Sequence, residues 1–344
     1  MQRPAAIRDV AHLEELLSEP SEAAIEALRG ANGDVLVLGV AGKMGPTLAR
    51  MARRAMDAAG GSHRVIGVSR FSSPHQQQAL EACGVEAIRC DLLDESALAR
   101  LPDAPNVIFM AGRKFGSSGN EPLTWAMNTH LPAMVCARYA SSRIVAFSTG
   151  NVYGLTRHGH GGSREDHLPA PVGEYAMSCL GRERMFEYFS SAFDIPVAIL
   201  RLNYATEMRY GVLVDLARRV WRHEPVDLTM GYFNTIWQGD ANAMALAALG
   251  HAATPPLIVN IAGREEVSVR WVCTELARIL DVEVTFTGRE ADDALLSNGS
   301  RGWSLLGAPR LDLAQLLSWT ADWIRRGGEH LDKPTHFESR AGRF

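Results

Sequence analysis

The chain has 344 residues, of which 47% are hydrophobic and 22% charged, and its formal net charge at pH 7 is -4. This composition is typical of globular proteins, and the length suits a large domain with a smaller second lobe. The acidic balance argues against nucleic acid as a partner, and no apolar run is long enough to cross a membrane. The five cysteines have neither paired nor zinc-ligand spacing, so we expect no metal site and a soluble, reduced, cytoplasmic protein.

Two short helices are predicted ahead of the first strand. Apolar residues recur at helical spacing over residues 9–17 and 21–28, and each run has a capping-type residue in front of it. We therefore assign residues 1–32 to an N-terminal helical appendage that packs on the outside of the domain that follows.

The next segment predicts a strand, a tight turn and a helix. Residues 35–38 are all apolar, glycines follow at every third position, and residues 46–59 are suited to a helix. Glycine lets the backbone approach a pyrophosphate, and the positive end of the following helix faces the phosphates. An ordinary glycine-rich turn carries the same triplet, but the flanking strand and helix favour nucleotide binding. The glycines are Gly39, Gly42 and Gly45.

Further apolar runs alternate with helical stretches along the chain. We predict strands at residues 64–68, 85–90, 106–110, 143–147 and 196–200, and helices at 123–139 and 174–191. This alternation predicts an α/β fold, a Rossmann-type doubly wound parallel sheet, and we assign residues 33–200 to an NAD(P)-binding domain. Ligands of such sheets lie outside the carboxyl ends of the strands. Gly39, Ser69, Asp91, Ala111 and Thr149 fall at those ends.

The end of the second predicted strand indicates which cofactor is preferred. An acidic residue there would hold an adenosine ribose hydroxyl, but the chain has Ser69 and Arg70. With Lys43 as a second cation, this favours NADP over NAD, although both cations are also explained as solvated surface residues. Asp91 is placed either to hydrogen-bond the adenine amino group or to cap the next helix.

The chain changes character after residue 200. Arg201 and Asn203 leave the sixth strand, and residues 230–240, which include Trp237, mix aromatic, amide and acidic side chains. Such a mixture suits either a sugar or a loop that lines the core. A strand at 257–261, a helix at 269–280, a strand at 282–286 and a helix at 311–325 complete a smaller C-terminal α/β lobe, residues 201–344, that we expect mainly to bind substrate.

Three motifs in this order resemble the extended short-chain dehydrogenase/reductase family, and within it the NAD-dependent epimerase/dehydratase group. They are the glycine turn, the sequence Ser-Thr-Gly-Asn-Val-Tyr-Gly at residues 148–154, and the helix that carries Tyr175. Residues 111–114 are also similar to a loop of UDP-galactose 4-epimerases, and the resemblance covers residue 33 to the end of the chain. It implies that the cofactor is bound by Gly39, Gly42, Lys43, Met44, Gly45, Ser69, Arg70, Asp91, Leu92, Ala111, Gly112 and Tyr175.

The resemblance also implies a hydride-transfer site. Tyr175 matches the family's acid/base and Thr149 its substrate-binding hydroxyl, while a lysine four residues after the tyrosine normally lowers the tyrosine pKa. Here that position is Cys179, and a neutral thiol cannot stabilise a phenolate. Either the site is silent, or a cation comes from elsewhere, with Lys114 as the first candidate and Arg182 as the second.

We therefore expect an NAD(P)-dependent oxidoreductase or epimerase acting on a secondary alcohol of a sugar or sugar derivative. A catalytically silent NAD(P)-binding regulatory protein is the alternative. The sugar 4,6-dehydratases carry an Asp-Glu pair after the threonine, and Gly150 and Asn151 stand there instead. The resemblance further implies a homodimer formed through the helices at 123–139 and 174–191. The expected substrate is a sugar or nucleotide sugar, contacted by Thr149, Asn151, Asn203, Arg201 and Trp237.

Overall fold

A seven-stranded parallel sheet forms the centre of the protein, whose computed structural model describes residues 3–114 and 116–342. The order of the strands across the sheet is β3-β2-β1-β4-β5-β6-β7, with every neighbouring pair parallel. This arrangement confirms the predicted doubly wound sheet. The strands are β1 (Val35–Leu38), β2 (Val65–Ser69), β3 (Glu86–Arg89), β4 (Asn106–Phe109), β5 (Arg143–Thr149), β6 (Val197–Leu202) and β7 (Leu257–Ile261).

Helices cover both faces of the sheet and build the C-terminal lobe. Among the described residues, none of them combines the length and the apolar character that a bilayer crossing requires. They are α1 (Val10–Leu17), α2 (Glu22–Arg29), α3 (Gly45–Ala58), α4 (Pro74–Glu81), α5 (Glu95–Ala99), α6 (Glu121–Trp125), α7 (Leu131–Arg138), α8 (Gly173–Phe193), α9 (Val212–Trp221), α10 (Gln238–Ala247), α11 (Val269–Leu280), α12 (Ser300–Leu306) and α13 (Leu313–Arg325).

The alternation of side chains along the strands divides the core into two layers. Val35 and Val37 of β1 face the layer formed by α2, α3 and α10, whereas Leu36 and Leu38 face the layer of α5, α7 and α8. Because both faces of β1 are buried, its sequence is a continuous apolar run, as parallel sheets require.

The direction of strand addition reverses at β1. The next strand along the chain, β2, pairs with one edge of β1, and β4 pairs with the other. The connections after β1 and β4 therefore diverge and leave a crevice outside the carboxyl ends of the strands. This crevice is the position that the fold offers to a ligand.

The N-terminal helices form where the sequence predicted them. The Asp9 side chain accepts a hydrogen bond from the backbone N–H of His12 at 2.8 Å, and Ser21 caps α2 in the same way. Both helices pack against α3 and α10, on the outer side of the sheet. Residues 1 and 2 of the predicted appendage lie outside the described residues.

The C-terminal lobe has its own core, built mainly on α9, α11 and α13. The predicted helices at 269–280 and 311–325 are present, but the predicted strand at 282–286 is reduced to Phe286–Thr287. The chain leaving α11 first closes that helix, because the N–H of Val282 bonds the carbonyl of Ala277. Strand β7 comes from the range assigned to the lobe, yet it pairs with β6 in the main sheet.

The predicted helix at 123–139 is divided in three. A π-helical turn, Ala126–His130, separates α6 from α7. The wider turn is stabilised by packing against α8, a contact between distant parts of the chain.

Candidate active site

The sharp turn between β1 and α3 depends on glycine at two positions. Gly39 has φ +89°, and a Cβ there would lie 2.7 Å from the backbone nitrogen of Ala111. A Cβ on Gly45 would lie 2.2 Å from the carbonyl oxygen of Val40. The turn is therefore tight, and the N–H groups in the first turn of α3 face the crevice, where they suit an anion such as a pyrophosphate.

A cavity of about 440 Å³ opens beside this turn. Its size is typical of cofactor sites, and a lining that combines apolar residues, a few polar side chains and several glycines fits a dinucleotide. Eight of the residues predicted to bind the cofactor line this cavity: Gly39, Gly42, Ser69, Arg70, Asp91, Leu92, Ala111 and Gly112.

Asp91 lines the same cavity and does not cap the next helix. The cap of α5 is Asp94, whose side chain accepts from the N–H of Ala97 at 3.0 Å. Asp91 makes only a local contact, accepting from the N–H of Leu93 at 3.2 Å. Its carboxylate is thus positioned at the cavity, and its contact with adenine stays a prediction.

A second cavity, of about 130 Å³, lies at the carboxyl ends of β5 and β6 and is called here the tyrosine cavity. All three predicted catalytic residues line it, although they come from three separate parts of the chain. Its lining consists of Lys43, Met44, Lys114, Ser148, Thr149, Asn151, Tyr175, Leu202, Tyr204, Ala205, Tyr210, Val212 and Thr335.

The position of Lys43 corrects its predicted partnership with Arg70. The Lys43 amine lies over the Tyr210 ring, 3.2 Å from its centre, in the tyrosine cavity, whereas Arg70 lines the larger cavity. The backbone turns between Gly42 and Met44, so the side chain points into the tyrosine cavity. Lys43 is therefore not a second cation for a ribose phosphate.

Thr149, Asn151 and Tyr175 are joined by hydrogen bonds. The hydroxyl oxygen of Thr149 accepts from the Asn151 side-chain amide at 2.9 Å and from its backbone N–H at 3.2 Å. A hydrogen bond also joins the side chains of Thr149 and Tyr175. Because Asn151 occupies the acceptor sites of Thr149, the threonine hydroxyl is oriented to donate toward the tyrosine oxygen. This arrangement can hold an alcohol between two hydroxyl groups.

The surroundings of Tyr175 favour its neutral form. Burial raises the pKa of the phenol well above its ordinary value, and the hydrogen-bonded Cys179 thiol raises it further, while the Arg182 guanidinium acts in the opposite direction. Burial also raises the pKa of Cys179, so this residue is a neutral thiol at physiological pH. Cys179 therefore leaves Tyr175 without the charge that a lysine would supply at this position, and the consequence for activity stays a prediction.

Arg182, the second predicted replacement cation, is fixed below the cavity. Its guanidinium donates to the carbonyl of Phe147 at 2.6 Å and to the side-chain oxygen of Asn128 at 2.8 Å. A Cβ on Gly112 would lie 2.3 Å from this guanidinium. The cation is thus held by neutral acceptors, and part of its field reaches Tyr175.

Lys114, the first predicted replacement, reaches the tyrosine cavity itself. Its amine lies 5.9 Å from the centre of the Tyr175 ring and donates to the carbonyl of Thr335 at 3.3 Å. Burial lowers the pKa of Lys114 to about 8. Lys114 therefore lines the same cavity as Tyr175, with the C-terminal tail over it, and its role as the replacement cation stays a prediction.

Two predicted substrate residues are found in the core instead. The Arg201 guanidinium is buried and forms an ion pair with Glu183, 2.7 Å apart, and it also donates to the Tyr153 hydroxyl. Trp237 is 3% exposed and packs edge-on against Trp319. Predicting substrate contacts for Arg201 and Trp237 was wrong, because tertiary packing and a buried carboxylate already occupy both side chains.

Asn203 lies one layer below the cavity. Its side chain is buried beside Gly150, where a glycine Cβ would approach the Asn203 Cβ to 3.2 Å. The Asn203 amide is within 3.5 Å of the Asn234 side-chain oxygen. Its place is next to the turn that follows Thr149, outside the lining of the tyrosine cavity.

Sequence reasoning missed Tyr204, Tyr210 and Thr335 as lining residues of the tyrosine cavity. No local pattern marks them, because they reach the cavity from the second lobe and from the tail. Within residues 3–114 and 116–342, no group of three His, Cys, Asp or Glu side chains is placed to hold a metal ion.

The fold is similar to solved structures of nucleotide-sugar enzymes. A UDP-glucuronic acid 4-epimerase from Bacillus cereus, in complex with UDP-glucuronic acid and NAD, is 21% identical, with a TM-score of 0.70 over 85% of this chain and 99% of that one. A dTDP-glucose 4,6-dehydratase from Bacillus anthracis, in complex with NAD, is 14% identical, with a TM-score of 0.70 over 86% and 97%. At these identities the likeness establishes the fold.

A search of curated proteins gave no significant match. The model of the NAD dependent epimerase/dehydratase family matches residues 35–206, which contain the glycine turn, Thr149 and Tyr175. This match confirms the predicted family and covers the sheet from β1 to β6. The chain therefore belongs to the NAD dependent epimerase/dehydratase family.

Proposed function

We propose that the protein is an NAD(P)-dependent oxidoreductase or epimerase that acts on a secondary alcohol of a sugar or sugar derivative. The observation that carries this proposal is the meeting of Thr149, Tyr175 and Lys114 in one cavity beside the glycine turn. The structural neighbours include enzymes named for UDP-glucuronic acid and dTDP-glucose, which makes nucleotide sugars the first substrates to test.

Each residue of the cavity has a part in the proposed reaction. Thr149, oriented by Asn151, holds the oxygen of the alcohol, and Tyr175 receives its proton. Lys114 supplies the positive charge that favours loss of the tyrosine proton. The nicotinamide cofactor, when bound, supplies the acceptor for the hydride that leaves the carbinol carbon.

Water elimination by the sugar 4,6-dehydratase route is not part of the proposal. The residues after Thr149 are Gly150 and Asn151, which form a short helical turn. Neither side chain ionises, so this position offers no acid and base for dehydration. Oxidation, or oxidation followed by return of the hydride, remains the reaction class that the residues support.

For the cofactor, we infer a preference for NADP over NAD. Ser69 and Arg70 line the dinucleotide-sized cavity at the end of β2, where an acidic residue would disfavour a ribose phosphate. The neighbours bound to NAD support a nicotinamide dinucleotide in general. The inferred preference for NADP over NAD rests on Arg70.

We also infer a homodimer formed through α6, α7 and α8. Large apolar side chains on α6 and α8 are exposed to solvent, among them Tyr188 (61%) and Phe193 (57%). Exposed apolar clusters of this kind are typical of contact surfaces. A second copy of the chain would cover them.

The alternative is a silent NAD(P)-binding protein, and Cys179 is the observation that favours it. A screen of nucleotide sugars, free sugars and sugar acids with NAD and NADP distinguishes the two, because turnover changes the nicotinamide absorbance. We expect at least one compound to change it. Tight cofactor binding by calorimetry together with no change for any compound would support the silent protein.

A further inference from the structure

The chain uses lysine very sparingly. Only three of its 35 lysine and arginine residues are lysines, namely Lys43, Lys114 and Lys333. Lys43 and Lys114 line the tyrosine cavity, and Lys333 precedes Thr335 in the tail that covers it. The charges of Lys114 and Lys333 both act on Lys43. Lysine, whose ammonium is compact and whose pKa shifts readily on burial, thus occurs in and beside this one cavity.

The acids near these lysines already have other partners. Glu207 accepts from Arg209 at 3.1 Å, and Asp215 accepts from the Thr335 backbone and hydroxyl at 2.8 and 2.6 Å. Glu338 lies 3.9 Å from Arg219. No carboxylate is among the described residues that line the cavity, and the nearby carboxylates are engaged by other groups, so its lysines are available to an anion.

The amine of Lys43 has little polar contact with the rest of the protein. The amine contacts the face of the Tyr210 ring, and within the described ranges it makes no hydrogen bond or ion pair. Burial lowers the pKa of Lys43 to about 7, with Lys114 and Lys333 adding to the effect and Glu207 and Asp215 opposing it. An anion beside this amine would reverse the shift.

We propose that Lys43 binds a carboxylate of the substrate, so that the compound oxidised at Tyr175 is a hydroxy acid of the sugar-acid class. This inference rests on the proposed function, because it places the acid group and the reacting alcohol in one cavity. The volume of about 130 Å³ suits a compact free acid. A nucleotide-linked uronic acid offers the same carboxylate but needs the tail around Thr335 to move.

Calorimetric binding to the cofactor-loaded protein tests this without requiring turnover. Each acid is compared with a counterpart that lacks the carboxylate: glycerate with glycerol, threonate with threitol, glucuronate with glucose, and UDP-glucuronic acid with UDP-glucose. We expect at least one acid to bind about tenfold or more tightly than its counterpart, as a charge-assisted hydrogen bond allows. Tightest binding by glycerate, threonate or glucuronate would show that the carboxylate belongs to a free acid. Tightest binding by UDP-glucuronic acid would show that it belongs to a nucleotide-linked uronic acid.

Lys43→Met should remove this preference, and Arg301→Met, which removes an exposed cation outside the cavity lining, should keep it. At pH 8 the acid should bind with proton uptake in the unaltered protein, because the Lys43 pKa is about 7 before the anion arrives. This uptake should decrease in Lys43→Met.

Two results would overturn the inference. One is a panel in which no acid binds better than its counterpart without the carboxylate. The other is a Lys43→Met variant that loses cofactor affinity as strongly as acid affinity, which would assign Lys43 to the pyrophosphate. A Lys43-dependent acid preference without any turnover would uphold the inference while removing the proposed function.

Discussion

The amine of Lys114 lies 5.9 Å from the centre of the Tyr175 ring, in the same cavity. The lysine follows β4 and the tyrosine belongs to α8, so the sheet brings together residues that are far apart in sequence. Because Cys179 cannot stabilise a phenolate, we infer that this lysine supplies positive charge to Tyr175 from within the cavity.

Replacing Lys114 by Met should reduce turnover by about a hundredfold or more, within the range for general acid–base catalysis. Without its charge, the Tyr175 pKa stays high and the tyrosine accepts the alcohol proton poorly. Steady-state kinetics at pH 7 measure turnover, and calorimetric titration with NADP measures cofactor affinity. Lys333→Met is the matched control, and normal turnover in Lys114→Met would reject the assignment.

Cys179→Lys should move the alkaline requirement of the oxidation reaction to lower pH. Oxidation needs ionised Tyr175, so its rate rises as pH approaches the tyrosine pKa, and a cation at position 179 lowers that pKa. A pH-rate profile of this variant is compared with Cys179→Met, which adds length without charge. Equal shifts in both variants would show that charge at this position is not the cause.

Arg201→Met should destabilise the fold by about 3–5 kcal/mol, because it leaves the buried Glu183 carboxylate without its partner. Glu183 and Arg201 are both almost completely buried and lie 2.7 Å apart. Denaturant unfolding measures the change. Arg301→Met removes an exposed arginine and should cost at most about 0.5 kcal/mol.

Arg70→Ala should weaken NADP binding by about tenfold or more and leave NAD binding within about twofold, because only NADP carries the ribose phosphate. Calorimetry with each dinucleotide gives both values. Arg100→Ala, at an exposed arginine near α5, serves as the control. Equal losses for both dinucleotides would contradict the NADP preference.

Tyr188→Glu should convert the proposed homodimer to a monomer. The substitution places a charge in the exposed apolar surface of α8, where the second copy would pack. Light scattering coupled to size-exclusion chromatography measures the mass. Trp271→Glu changes an exposed aromatic residue on α11 and should leave the dimer intact, whereas a monomeric unaltered protein would refute the proposal.

The sheet could be predicted from sequence because its strands are buried on both faces. A short continuous apolar run such as residues 35–38 indicates a buried strand. A capping residue such as Asp9 indicates the start of a helix from local sequence alone. The π-helical turn Ala126–His130 could not be predicted, because it depends on packing against α8. The short strand pairs of the second lobe likewise depend on partners distant in the chain.

The residues of the candidate site likewise divide into those that the sequence predicts and those that depend on tertiary structure. Thr149 and Tyr175 could be predicted because both belong to motifs that resemble the family, and both line the tyrosine cavity. Arg201 was misassigned because its partner Glu183 lies on another element, and only tertiary structure joins them. The direction of the Lys43 side chain and the contact between the tail and Lys114 could not be predicted, for the same reason. The small number of lysines in the sequence was nevertheless a usable signal.

The central claim is that Tyr175 performs proton transfer in an active hydride-transfer site. Its most direct test is the change in nicotinamide absorbance on adding substrates to the protein and to Tyr175→Phe, with cofactor affinity measured for both. We expect turnover in the unaltered protein and about a hundredfold loss or more in Tyr175→Phe, with cofactor affinity changed by no more than about twofold. Equal turnover by the two proteins, or no absorbance change with any compound despite bound cofactor, would contradict the account.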